Sequence, residues 1–315
     1  MTALLRAWRR HICGFTSVMA LVALVGCDSH AEPTLPPNTD PTTISERVNR
    51  ADGPEFLRDV TSAAWPDDGQ RAAELVVWIP RDAQSTDRTA ATRAGQTAHA
   101  IASFIADNKG EPPNTPPNPP LWQAFARSLA PYVGAMVGDA TGVEGFDSLD
   151  GPGSQMRRTA ALFAAMTKDN DANQVLIDAA SERAHTYEMA FAKAAVAEPI
   201  LADRGAPQAD LLRAAALRSL VATGAQLAEK GPTATPAHAQ TELAYQVAVL
   251  TARPDDPHIN DEFFSGGRLL PPSDIAESDW SIYDTQLTVY LTPWPRINDA
   301  IRQFGDAYDV IARGQ

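Results

Sequence analysis

Three features of the sequence predict a mainly α-helical fold. Apolar residues recur three or four positions apart over several long stretches, as they do on one face of a helix. Alanine, which has the highest helix propensity, is abundant along these stretches. Strand-like and helix-like segments do not alternate, so a doubly wound sheet is not expected. We therefore expect a multi-helix, bundle-like domain with a loop-rich C-terminal part, preceded by a signal peptide and a disordered tether.

The first expected element is an export signal. Arg6, Arg9 and Arg10 form a positively charged start, and a largely apolar run follows from Phe15 to Val25. A transmembrane helix needs about 20 apolar residues, and this run is shorter and interrupted. Its length and flanks are typical of a signal peptide. The alternative is an ordinary signal peptide or an N-terminal anchor in which Cys27 has no role.

The apolar run ends in Leu24-Val25-Gly26-Cys27, which resembles the lipobox of bacterial lipoproteins. The resemblance implies a diacylglycerol on the Cys27 sulfur, cleavage before this cysteine and often acylation of the new amino group. Two or three acyl chains give stable attachment, because each buried methylene contributes about 0.8 kcal/mol. We therefore expect residues 1–26 to be removed and the protein to be lipid-anchored on the extracytoplasmic face of the cell membrane.

A disordered tether is expected over residues 27–43, where proline and small polar residues dominate and cannot bury apolar surface. Thr43 and Glu46 have capping-box spacing, which places the start of the folded part near Thr43. The apolar segment from Gly69 to Ile79 predicts a short helix that stops at Pro80.

The rest of the helical domain, residues 44–250, contains six further helical patterns. They run over Ala91 to Ile105, Leu121 to Val137, Met156 to Met166, Asp171 to Val196, Pro207 to Glu229 and Pro236 to Leu250. Six prolines between residues 110 and 120 preclude a helix there and favour an extended polyproline connection. This connection is interpreted as a spacer, with a proline-rich ligand for a partner as the alternative.

The pattern changes over residues 251–315. Residues 252–281 are loop-like, with several prolines, glycines and aspartates. Leu287, Val289 and Leu291 lie two apart, which predicts one strand. A helical pattern returns from Asn298 to Ala312, so we expect a C-terminal helix that packs on the helical domain.

Two stretches carry a family resemblance. They read Phe125-Ala-Arg-Ser-Leu-Ala-Pro-Tyr-Val-Gly-Ala-Met-Val-Gly-Asp139 and Thr159-Ala-Ala-Leu-Phe-Ala-Ala-Met-Thr-Lys-Asp169, the second followed by Asn173-Gln174-Val175. Together, over residues 69–230, they resemble a helical region of large actinobacterial proteins associated with type VII secretion and polymorphic toxins. With the lipobox, the chain resembles mycobacterial lipoproteins of unknown function. The resemblance implies a cell-envelope location and an all-helical domain, and it supplies no catalytic residues.

One loop concentrates side chains that are able to bind a metal ion: Asp255, Asp256, His258, Asp261 and Glu262. A hard cation such as Ca²⁺ takes about 6–8 oxygen ligands, so this cluster is a candidate site. Its spacing matches no established metal-binding loop, and a solvated polar loop is the interpretation we favour. We expect neither a bound metal nor a cofactor.

Histidines and turn aspartates are the remaining candidates for chemistry. His99 and His185 lie in expected helices, and each is a candidate general base or a hydrogen-bonded histidine on a helix surface. Asp67, Asp68 and Asp139 are expected in turns, with catalysis as the alternative. No sequence motif pairs any of them with a nucleophile.

Aromatic residues are concentrated late in the chain, at Trp280, Tyr283, Tyr290, Trp294 and Phe304. Core packing is the expected reason, and an exposed surface for a protein or glycan partner is the alternative. The net charge of −13 makes nucleic acid a poor partner, because phosphates need basic side chains. The only cysteines are Cys13 and Cys27, so no disulfide framework is expected in the domain.

The sequence therefore favours a lipid-anchored envelope protein that binds a protein or another ligand as an accessory of envelope or secretion machinery. Membrane lipid joined to Cys27 is one expected partner, and a protein of the envelope is another. Two alternatives stay open: an envelope hydrolase that uses carboxylates or a metal, and a solute-binding lipoprotein. The missing βαβ pattern disfavours the last of these.

Overall fold

The computed structural model describes residues 34–107, 118–151, 154–197, 206–228 and 235–314. The expected signal peptide, the lipobox with Cys27 and most of the proline-rich connection lie outside these residues. The mainly α-helical fold predicted from the sequence is confirmed over the described part of the chain.

Thirteen α-helices are present in the described residues. They are α1 (Pro41–Val48), α2 (Gly53–Ser62), α3 (Gln70–Ala73), α4 (Ile79–Ala83), α5 (Arg88–Asp107), α6 (Pro119–Leu129), α7 (Val133–Met136), α8 (Arg157–Met166), α9 (Asn170–Ala197), α10 (Ala206–Leu227), α11 (Pro236–Ala248), α12 (Trp280–Leu291) and α13 (Pro295–Ala312). Short 3₁₀ turns cover Ala130–Tyr132, Asp261–Phe263 and Pro272–Asp274. The described strands are β1 (Phe264–Ser265) and β2 (Arg268–Leu269), which pair antiparallel.

Helix α1 begins earlier than the sequence predicted. Asp40 caps it, because its carboxylate accepts hydrogen bonds from the N–H of Thr42 at 2.9 Å and of Thr43 at 3.1 Å. The helix thus starts two residues before Thr43, near which the sequence placed the start of the folded part, and residues 41–43, assigned to the tether, are helix. Leu35, still closer to the N terminus, already packs against the core.

Two stretches that were expected to be single helices are interrupted. Pro80 does not stop a helix over residues 69–79; it lies in the first turn of α4, where a missing N–H is tolerated. Pro131 lies in the 3₁₀ turn between α6 and α7, which interrupts the expected helix from Leu121 to Val137.

The strand expected near the C terminus is instead helix α12. Leu287 and Leu291 lie four residues apart and are fully buried, whereas Val289 between them is 44% exposed. A strand would place all three side chains on one face, so the burial pattern follows the helical period. The expectation of a loop-rich segment holds for residues 253–279, where the described elements are short turns and the two-residue strands.

The core is built around the two long helices α9 and α10, which pack along each other. Helices α8 and α13 pack on α10, and α6 and α11 pack on α9. Alanines such as Ala184 and Ala214 are fully buried and allow the helix backbones to approach closely. Larger side chains such as Phe191 and Leu217 fill the remaining space, and burial of each contributes about 2 kcal/mol.

Within the described residues, no helix combines the length and the hydropathy that are needed to cross a bilayer.

Candidate functional site

Asp139 lies three residues after Met136, the last residue of helix α7, at a chain reversal that the sequence predicted as a turn. Gly138 adopts a φ of +83°, which a glycine accepts readily. The N–H of Asp139 then donates to the carbonyl oxygen of Gly134 at 2.8 Å, which closes the end of the helix. This reversal directs the Asp139 side chain towards helix α9, where it is almost entirely buried.

Two side chains of α9 meet the Asp139 carboxylate. Arg183 and Tyr187 lie four residues apart and therefore share one face of the helix. Arg183 Nη2 donates to Asp139 Oδ2 at 2.6 Å, and the Tyr187 hydroxyl donates to the same oxygen at 2.5 Å. Arg183 Nε also donates to the Tyr187 hydroxyl oxygen at 2.9 Å. The three groups thus form a closed hydrogen-bond network.

The network fixes the charges of its members. Burial raises the pKa of Asp139, but hydrogen bonds from Thr141, Tyr187 and Arg183 outweigh it and hold this pKa well below the usual carboxyl range. Burial, together with the hydrogen bond to Asp139, raises the pKa of Tyr187 to about 12. At neutral pH the site therefore contains an ionised carboxylate, a guanidinium cation and a neutral phenol.

The network borders an open cleft of about 430 Å³, which we call the Asp139 cleft. Its lining residues come from the end of α4, the 3₁₀ turn, α7, the following loop and α9: Gln84, Ala130, Pro131, Val133, Gly134, Asp139, Thr141, Gly142, Val143, Ala179, Glu182, Arg183 and Thr186. A cleft of this size is within the range of small-ligand sites. Gly134 keeps the floor open, since a Cβ there would lie 3.1 Å from both Arg183 Nε and the Tyr187 hydroxyl.

This arrangement is suited to binding more than to proton transfer. Asp139 Oδ2 accepts two hydrogen bonds, and Oδ1 accepts one from the N–H of Thr141 at 3.0 Å. A carboxylate held in this way is a weak base, because protonation breaks these contacts. Glu182, the other carboxylate of the cleft, lies exposed at its rim.

The other sequence candidates lie away from this cleft. His99 Nδ1 is 2.7 Å from the carbonyl oxygen of Asp147, and His99 Nε2 is 3.4 Å from Ser103 Oγ. The interpretation of His99 as a hydrogen-bonded histidine is thus confirmed. His185 is exposed on α9. Asp67 accepts hydrogen bonds in a turn that leads into α3, and its neighbour Asp68 has a φ of +54°.

The loop of candidate metal ligands is held by local hydrogen bonds. The Asp256 carboxylate accepts from the N–H of His258 at 2.9 Å and lies 3.0 Å from its Nδ1. Glu262 accepts from the Asn260 side-chain amide at 3.0 Å. Among the residues that the structure describes, no three or more His, Cys, Asp or Glu side chains are grouped in a way that would hold a metal ion. The set Asp255, Asp256, His258, Asp261 and Glu262 is therefore not brought together as a site.

Core packing explains most of the late aromatic residues. Tyr283, Tyr290 and Phe304 are buried, as expected. Trp294 is partly exposed and lies edge-on to Tyr290, with the ring centroids 5.6 Å apart. Trp280 is also partly exposed and packs against the His238 ring, with the centroids 4.3 Å apart.

The sequence identified Asp139 as a turn residue, but it did not identify Arg183 and Tyr187 as members of the site. Their spacing of four on a helix was a visible signal that the two side chains share a face. Their common partner lies 44 residues before Arg183, and no local pattern connects the two segments. The buried ion pair is therefore a product of the tertiary fold.

We expect replacement of Asp139 by asparagine to lower the free energy of unfolding by roughly 2 kcal/mol at pH 7, because a charged acceptor of three hydrogen bonds is lost. The pKa of Asp139 is lowered by folding, so its contribution is complete above the carboxyl pKa of the unfolded chain, near 4. The contribution is lost as the pH falls further. Urea unfolding at pH 7, 4 and 3 should therefore show a difference between the two proteins that shrinks with acidity. An equal difference at all three values would contradict the assignment.

The chain was compared with models of protein families, with curated proteins and with solved structures, and no match was found.

Proposed function

We propose that this protein is a binding protein of the cell envelope, held on the extracytoplasmic face of the membrane by lipid on Cys27. Its ligand lies in the Asp139 cleft and presents carbonyl or carboxylate oxygens to Arg183. The observation that carries the proposal is a guanidinium fixed at the edge of an open cleft by Asp139 and Tyr187. The location rests on the lipobox sequence that ends at Cys27.

Arg183 is prepared to donate further hydrogen bonds. Its Nε and Nη2 are occupied, whereas its Nη1 has no hydrogen-bond partner in the described part of the chain. The side chain keeps 34% of its surface exposed. Because the guanidinium is already held in one orientation, little conformational entropy is lost when a ligand accepts from it.

The rest of the cleft suits an extended polar ligand such as a peptide segment. Gln84, Thr141 and Thr186 place exposed amide and hydroxyl groups around the opening. Pro131 and Val133 supply an apolar wall between them. A peptide offers carbonyl acceptors and N–H donors along its length, and it matches this mixture of polar rim and apolar wall.

The same contacts disfavour the hydrolase alternative at this cleft. General acid–base catalysis works best with a pKa near the working pH. The pKa of Asp139 is held far below that range by its hydrogen bonds. A carboxylate mechanism would also need a second acid that the protein holds beside the ligand. The other carboxylate of the cleft, Glu182, is instead exposed to solvent at the rim.

One experiment tests both the location and the binding. A photo-crosslinking amino acid is placed at Thr186 in the full chain, and cells are irradiated before membranes are separated from soluble protein. Four forms are compared: the chain without further change, Cys27→Ser, Arg183→Lys and the control Arg127→Lys, an exposed arginine on α6. Lysine keeps a positive charge beside Asp139 but removes the planar donor edge.

We expect the unchanged chain in the membrane fraction with a discrete crosslinked product identified by mass spectrometry. Cys27→Ser should leave the membrane fraction, since two or three acyl chains are lost. Arg183→Lys should stay in the membrane fraction, but its yield of the crosslinked product should fall at least tenfold. The control Arg127→Lys should give the same yield as the unchanged chain. Membrane retention of Cys27→Ser, with residues 1–26 removed as in the unchanged chain, contradicts the lipid anchor. An undiminished crosslinked product with Arg183→Lys contradicts the binding site.

A further inference from the structure

The charged side chains that line the Asp139 cleft do not balance. Arg183 is neutralised by Asp139, whose Oδ2 lies 2.6 Å from Arg183 Nη2. Glu182 lines the same cleft with its side chain exposed, and its backbone carbonyl accepts from the Thr186 hydroxyl at 2.9 Å. Within the described residues, the Glu182 carboxylate forms no ion pair and no hydrogen bond. The lining therefore carries one unpaired charge, and this charge is negative.

Two arginines beside the lining residues are held by other groups. Arg213 Nη1 donates to the Asp210 carboxylate at 2.9 Å, and Arg213 Nη2 donates to the carbonyl oxygen of Gly138 at 3.1 Å. Arg88 Nε lies 3.4 Å from a carboxylate oxygen of Glu144, in the loop that forms one wall of the cleft. Neither arginine therefore compensates the unpaired carboxylate.

A further acidic side chain lies on the same stripe of α9. Asp178 precedes Glu182 by four residues, so the two carboxylates share one face of the helix. Asp178 is exposed and accepts from the Gln174 side-chain amide at 2.7 Å, and it forms no ion pair in the described part of the chain. Like charges at this spacing repel each other, and a cation bound beside them relieves the repulsion. The approach to the cleft along α9 thus favours a positively charged group.

The same balance of charge limits what can face Arg183. Its Nη1 has no partner within the described residues, but its positive charge is already matched by Asp139. A carboxylate at Nη1 would bring a further negative charge close to Asp139 and Glu182. A neutral carbonyl oxygen accepts the same hydrogen bond without that repulsion. The cleft therefore favours a peptide carbonyl over a free carboxylate.

We infer that the Asp139 cleft binds an internal segment of a basic peptide or protein, with a backbone carbonyl oxygen on Arg183 and a lysine or arginine side chain on Glu182. The inference rests on the proposed function and adds the class of ligand. An ion pair at an exposed rim selects and steers a ligand more than it adds affinity. The net charge of −13 attracts the same basic partner over longer distances.

Affinity selection with the purified full chain in nonionic detergent micelles tests this inference. The probes are short synthetic peptide libraries, blocked at both termini, that share random flanks and carry lysine, norleucine or glutamate at one fixed position. A further lysine library keeps a free C-terminal carboxylate. The proteins compared are the unchanged chain, Glu182→Gln, Arg183→Lys and the control Glu55→Gln, which changes an exposed glutamate on α2. Size exclusion separates the bound peptides, and mass spectrometry measures their yield.

We expect the unchanged chain to retain the lysine library about threefold better than the norleucine library at low salt, which is the effect of one exposed ion pair. The glutamate library should be retained least, because its carboxylate meets Glu182 and Asp178. The lysine preference should disappear in Glu182→Gln and persist in Glu55→Gln, and a free C-terminal carboxylate should give no advantage.

Four results would each overturn the inference. They are equal yields of the lysine and norleucine libraries with the unchanged chain, a lysine preference that survives in Glu182→Gln, equal loss of the preference in both glutamine variants, and a higher yield of the library with the free carboxylate. Circular dichroism checks that both variants are folded, as expected for two exposed side chains.

Arg183→Lys separates the failure of this inference from the failure of the proposed function. The proposed function requires this variant to lose at least tenfold of the yield with the lysine and norleucine libraries alike. If that loss is seen without a lysine preference in the unchanged chain, the binding site is retained and the basic ligand is refuted. If Arg183→Lys retains the peptides like the unchanged chain, or if no library is retained at all, the proposed site is refuted and the inference with it.

Discussion

Replacement of Arg218 by methionine is expected to lower the free energy of unfolding by about 3–5 kcal/mol, because it leaves a buried carboxylate without its cation. Glu188 on α9 is fully buried. Arg218 on α10 donates to both of its oxygens, from Nε at 2.9 Å and from Nη2 at 2.8 Å. These two hydrogen bonds replace the hydrogen bonds to water that Glu188 loses on folding. A methionine at position 218 can donate neither of them.

A second carboxylate makes the loss larger. Glu242 on α11 faces the same cation: burial raises the pKa of Glu242, the positive charge of Arg218 lowers it, and the negative charge of Glu188 raises it. Without Arg218, two partly or wholly buried acids repel each other with no positive charge between them. The three helices α9, α10 and α11 meet at this point, so the repulsion acts on the centre of the bundle.

The measurement is urea unfolding of the full chain at pH 7, and two further variants make it specific. Arg302→Met removes an arginine that is 75% exposed and paired with exposed Asp299, so it should change stability by less than about 1 kcal/mol. The double variant Arg218→Met/Glu188→Leu removes both charges and should recover most of the loss. If the double variant were no more stable than Arg218→Met, lost packing rather than the unpaired charge of Glu188 would be the cause of the destabilisation.

The fold was predictable from the sequence where one helix face is buried. Ala98, Ile101 and Ile105 lie on one stripe of α5, and the structure buries all three. The strand predicted over residues 287–291 was wrong because three apolar residues at spacing two also include a pair at spacing four. Only the packing of α12 on α11 and α13 decides between the two periods.

The candidate site was less predictable than the helices. Asp139 was recognised as a turn residue, but its burial depends on how the loop after α7 meets α9. Sequence spacing brings Arg183 and Tyr187 to one face of α9 and gives no information about their partner.

Replacement of Gly95 by alanine is expected to destabilise the protein by about 3 kcal/mol, although alanine favours a helix. Gly95 lies within α5, where a Cβ would be 1.9 Å from the carbonyl oxygen of Glu144 and 2.7 Å from the carbonyl carbon of Gly145. These are backbone atoms, so no side-chain rotation relieves the overlap. The loop also approaches α5 closely at Gly145, because a Cβ there would lie 2.3 Å from the carbonyl oxygen of Thr92.

The matched control is Gly151→Ala, since a Cβ at Gly151 meets no heavy atom within 4 Å. We expect this variant to stay within about 0.5 kcal/mol of the original in thermal and urea unfolding. If Gly95→Ala were as stable as the control, the loop would have to yield by more than 1 Å without loss of its contacts.

Such a displacement would reach the Asp139 cleft, because Val143, which lines it, directly precedes Glu144. A stable Gly95→Ala protein would therefore still be expected to lose the Arg183-dependent crosslinked product. The overlap at position 95 should therefore lower either the free energy of unfolding or the yield of the crosslinked product at the Asp139 cleft. A variant unchanged in both would show that the loop does not pack on α5 as described.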